Sequence, residues 1–151
     1  MGFSPLGLVV SVAVLAPSLL LWRWPPRPAM PRVAIPSALT AIERAGQALC
    51  LVVPPITAPG AVSWFWILPA AAAYLGYVWL WARYLATGRP VSALYGARWG
   101  VPVPMAILPV VVFLCAAAWL GNPWIALAAL VLAAGHIPTS LRIARGVTAP
   151  G

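Results

Sequence analysis

Two residues of this chain could pass a proton between them: Glu43, its single acidic residue, and His136, its single histidine. A histidine beside a carboxylate exchanges protons near neutral pH, which is the chemistry of general acid–base catalysis and of proton-coupled transport. Glu43 stands in "TAIERAGQ" (Thr40 to Gln47), where Arg44 and Gln47 fall within the next helical turn. His136 stands in "GHIPTS" (Gly135 to Ser140), with Ser140 one turn on and on the same face. Further polar groups come from "ARYLATGRP" (Ala82 to Pro90), which carries Arg83, Tyr84 and Arg89, and from Tyr95. Arginines at that level could hold a phosphate or carboxylate bidentately. The candidate acid–base residues are therefore Glu43 and His136, and the candidate ligand-binding residues are Arg44, Gln47, Arg83, Tyr84, Arg89, Tyr95 and Ser140.

A plainer reading of Glu43 is also open. "TAIE" fits the S/T-x-x-E capping box, in which threonine and glutamate side chains satisfy free N–H groups at a helix start. A carboxylate there also complements the helix dipole by about 0.3–1 kcal/mol. For His136 the corresponding plain reading is a satisfied interhelical donor. For the arginines it is orientation in a membrane and contact with anionic lipid headgroups.

The elements that must position these residues read as membrane helices. Apolar residues make up 64% of the 151-residue chain and charged ones only 7%, with a mean hydropathy of +0.98. That composition lies outside the soluble globular class. A span needs about 20 mostly apolar residues. The pattern predicts an all-α bundle of about five spans in one domain, near 3–22, 39–53, 62–85, 101–120 and 123–141. The second is short, bounded by Pro36 and by Pro54 and Pro55, and so tilted or partial. A tight turn at Gly121 and Asn122 joins the last two. Pro69, Pro102, Pro104, Pro109 and Pro138 fall in or at the ends of helices, where each removes a donor and favours a kink. The apolar N-terminal stretch lacks a basic leader and reads as a retained helix rather than a signal peptide.

All nine basic residues are arginines, and they give a net charge of +8. With five crossings every one falls on one side, and the connections "PPITAPG" and "GNP" opposite are uncharged. The positive-inside rule makes the arginine side cytoplasmic, with the N-terminus outside and the C-terminus inside, in a bacterial inner membrane. Nucleic acid is not implied, because the charge lies in gaps between apolar runs rather than on a soluble scaffold. Trp64, Trp66, Trp79 and Trp81 read as interfacial anchors. Ala70 to Ala73 with Gly76, and Ala116 to Ala118 with Gly121, would let helices approach closely, within one chain or between two. Cys50 and Cys115 read as buried, inert thiols, without ligand spacing for a metal. No cofactor motif is present, and the absence of aspartate argues against magnesium–diphosphate chemistry.

The set "ERAGQ", "ARYLATGRP", "PVPMAILPV" and "GHIP", spread from Ala41 to Ser140, resembles a group of small bacterial integral membrane proteins to which no activity is attached. Small multidrug transporters share the size and a membrane glutamate. They carry it mid-helix in the first of four spans, whereas Glu43 starts the second of five beside an arginine. Three functions stay open. The first is a non-catalytic binding, accessory or assembly subunit with a polar cluster at the cytoplasmic leaflet, packed against anionic lipid, a second copy or a larger complex. The second is a proton-coupled small-solute carrier or channel using Glu43 and His136. The third is a metal-independent membrane enzyme acting on an apolar lipid or terpene.

Overall fold

The computed structural model describes residues 2–148, and its regular elements are all helices, with no strand among the described residues. In chain order the helices are α1 (Pro5–Leu15), α2 (Leu20–Arg23), α3 (Ser37–Ile56), α4 (Ile67–Ala86), α5 (Val91–Tyr95), α6 (Pro104–Trp119) and α7 (Pro123–Thr148). A 3₁₀ turn, Ala16–Leu19, links α1 to α2, and another, Trp64–Trp66, leads into α4. The break after α1 has a direct cause: Pro17 has no N–H for the helical ladder, and the chain tightens there.

Three stretches are long and apolar enough to cross a membrane: Pro5–Arg23, Trp64–Ala86 and Pro123–Val147. α6 is apolar but shorter. α3 differs from the sequence expectation. It starts three residues before Thr40 and runs on through Pro54 and Pro55, which lie inside its last turn rather than bounding it. Pro54 cannot donate to the carbonyl of Cys50, and the Ser11 hydroxyl of α1 donates to that oxygen instead, at 2.8 Å. α7 also outruns its expected end, so Arg142 and Arg145 sit on the helix rather than after it.

Neighbouring helices run antiparallel. The Ser4 and Gly2 amides bond to the Pro55 and Ile56 carbonyls at one end of α1 and α3. Along α3 and α7, Gly46 lies against Leu132, and Gly135 lies against the Glu43 backbone. α6 packs between α4 and α7, and its turn into α7 uses Gly121 in the left-handed conformation. Asn122 then accepts from the Trp124 amide, capping α7, and donates to Thr57 Oγ1 at 2.7 Å. Ala70, Ala73, Ala116 and Ala117 are buried in internal packing. Cys50 and Cys115 are buried and unbonded.

This alternation sorts the charges. The end built from residues 54–66 and 117–124 carries none, and all nine arginines lie toward the other end. There the Arg27 amide donates to the Arg89 carbonyl, and Tyr84 Oη donates to Trp24 O at 2.8 Å. The apolar core has two parts. One gathers Val14, Cys50, Phe113, Ile125 and Leu132; the other, toward the arginine end, gathers Tyr77, Leu80, Trp81, Tyr84 and Met105.

Candidate functional site

α3 packs against both α1 and α7, and its inner face is the stripe Glu43, Gly46, Cys50 and Pro54, spaced i, i+3, i+7, i+11. Glycine at 46 and at 135 brings α3 and α7 so close that a Cβ at either position would meet backbone of the other helix. Because Gly135 touches the backbone of Glu43, its neighbour His136 comes level with the Glu43 carboxylate. His136 Nδ1 and Glu43 Oε1 are 2.6 Å apart, a close charge-assisted hydrogen bond between the chain's only acid and only histidine.

The capping-box reading of Glu43 is thereby corrected. α3 starts at Ser37, so Glu43 is a second-turn residue beyond the free N–H groups. Thr40 donates back to Pro36 O rather than capping.

The pair forms part of the wall of an open cleft of about 240 Å³ between the helices. Gln47 and Ser140 line the cleft one turn from Glu43 and His136 respectively, and Ser18 faces it from the first helical stretch. Tyr77 and Trp81 of α4, Tyr95 of α5 and Met105 of α6 complete the lining. His136 keeps 26% of its side chain exposed and Glu43 16%, so both are shielded yet reachable by water. Burial, reinforced by the negative charge of Glu43, pushes the Tyr95 phenol up to about 12. Tyr95 therefore stays a neutral donor, and its hydroxyl points to Met30 Sδ at 3.7 Å.

Of the residues singled out in the sequence, Glu43, Gln47, Tyr95, His136 and Ser140 come together here. Arg44, Arg83, Tyr84 and Arg89 do not line the cleft: Arg44 is exposed, and Tyr84 is wholly buried with its hydroxyl spent on Trp24 O. Trp81 also departs from expectation. Trp64, Trp66 and Trp79 are exposed as anchors should be, but Trp81 is only 6% exposed and packs edge-on to Tyr77 and Tyr84. Its indole N–H is buried with no acceptor in hydrogen-bonding geometry. The signal for the α4 part of the lining was present, since Tyr77 and Trp81 stand at i and i+4 on one face of α4. Comparisons with protein-family models, curated proteins and solved structures gave no match.

Proposed function

We propose that the chain crosses a bacterial inner membrane five times, N-terminus outside and C-terminus cytoplasmic, and carries a small solute coupled to a proton held by Glu43 and His136. Three helices meet the requirements of a span outright. α3 packs between α1 and α7, and α6 between α4 and α7, antiparallel to spans that qualify. The gathering of every arginine at one end supports the orientation and a contact with anionic lipid headgroups.

The observation that carries the carrier reading is the 2.6 Å contact between Nδ1 and Oε1 on the wall of a water-reachable cleft. A rise of about 1.5 Å per residue puts His136 about 20 Å from the Pro123 end of α7, in the inner third of a hydrocarbon layer about 30 Å thick. Ionisable residues at such depth are costly and mark proton relays or solute paths. The accessory-subunit reading leaned on Glu43 serving its own helix start, and it loses that support. The aromatic side of the cleft, Tyr77, Trp81 and Tyr95, favours a second reading, a membrane enzyme acting on an apolar lipid or terpene with Glu43 or His136 as acid or base.

Reconstitution tests the carrier. Proteoliposomes under an imposed pH gradient should accumulate at least one member of a labelled panel of amines, amino acids and monocarboxylates. Glu43→Gln and His136→Ala should each cut that accumulation tenfold or more while size-exclusion profiles stay unchanged. Uptake at the level of empty liposomes, or accumulation that Glu43→Gln leaves intact, would count against it.

A further inference from the structure

We infer that the solute taken by the cleft is a small organic cation bearing one ring or an equivalent apolar group, and that its binding expels one proton. The inference rests on the assignment of Glu43 and His136 as the proton site, and adds to it the charge and shape of the ligand.

Charge comes first. No arginine lines this cleft, although the chain carries nine. The cleft's one basic side chain is the His136 imidazole, and its Nδ1 is already engaged with Glu43. An incoming anion would find no uncommitted positive group. With imidazolium, the pair is neutral. Loss of the Nε2 proton to water leaves a neutral imidazole still bonded through Nδ1–H to the carboxylate, and the cleft then carries one uncompensated negative charge. A monocation restores neutrality, so cation in and proton out balance one for one. Arg44, beside Glu43 in sequence, is exposed and does not line the cleft.

Shape agrees. Tyr77, Trp81 and Tyr95 line the same cleft as the carboxylate, and aromatic surface attracts cations. Tyr95, held neutral, adds no competing charge. An apolar cavity of about 150 Å³ accommodates one benzene ring, so about 240 Å³ accommodates a ring with an ammonium head.

Benzyltrimethylammonium is the probe, with benzenesulfonate as anion and neopentylbenzene as uncharged isostere. Titration calorimetry of the purified full chain, in two buffers of different protonation enthalpy, reads affinity and proton release together. The cation should bind at least tenfold tighter than either comparison ligand and release a proton fraction that rises toward one as pH is lowered. Its affinity should fall as pH is lowered, by up to tenfold per unit. Glu43→Gln should weaken binding tenfold or more. His136→Asn, whose amide can still donate to Glu43, should bind the cation but release no proton.

Preference for benzenesulfonate, equal binding of the isostere, or proton release that survives in His136→Asn would overturn the assignment. The pH series needs only the wild-type chain, so a variant that fails to fold does not shelter the proposal. Anion binding would sink this charge assignment and leave the proton-coupled carrier standing. Cation binding without any flux would support the assignment and sink the carrier.

Discussion

The hydrogen bond between His136 Nδ1 and Glu43 Oε1 commits each group to a role. With Nδ1 turned to the carboxylate, Nε2 is the nitrogen left to trade protons with the cleft. Glu43 fixes the ring, and no second acidic side chain exists to replace it. Gln47 and Ser140, one turn away on α3 and α7, add neutral donors and acceptors without altering the charge of the cleft. Tyr95 does the same from α5, because burial keeps its phenol protonated up to about 12. The polar group therefore reduces to one acid and one base in a neutral, partly aromatic setting.

What holds the two groups at bonding distance is the seam between α3 and α7. Lipid supplies no hydrophobic drive for helix association, so close contact and dispersion must do it, and glycine permits the closest approach. Gly135→Ala would place a methyl group against the Glu43 backbone. We expect it to cost about 1–3 kcal/mol, the usual range for overpacking. It should also lengthen the bond between His136 and Glu43, which a lowered melting midpoint in detergent together with reduced coupled uptake would register. Unchanged stability and uptake would mean that the seam does not set the geometry.

How far this was legible also divides by element. The sole acid and the lone histidine stand out as residue types, so the pair was visible without a fold. The start of α3 was not. "TAIE" satisfies a local capping pattern, but Pro36 is extended and the helix begins directly after it, leaving Glu43 past the first turn. Trp81 was misjudged as an anchor because its burial depends on α5 and the first helical stretch folding over α4, contacts that hydropathy does not encode.

Across the whole molecule, antiparallel packing turns a scattered set of arginines into one charged rim and one bare rim. That asymmetry is an orientation signal independent of the cleft, and it makes a separate prediction. A C-terminal green fluorescent protein fusion should fluoresce in cells, while a cysteine introduced at Ala58, between α3 and α4, should react with an impermeant maleimide from outside. The native thiols, both buried, should stay silent in that assay. Both reporters in one compartment would contradict five crossings and detach the cleft from the cytoplasmic leaflet. The apolar outer surface, with Val9, Leu68, Leu75, Leu127 and Leu130 exposed on three different helices, is what a bundle solvated by lipid presents.

Proton coupling at this cleft requires Glu43 and His136 to act as one unit, and the single histidine makes that directly observable. Nitrogen NMR of imidazole-labelled protein should show one ring with a strongly hydrogen-bonded Nδ1 proton, whose low-field signal disappears in Glu43→Gln while the fold persists. An imidazole spectrum and titration identical in wild type and Glu43→Gln would contradict it.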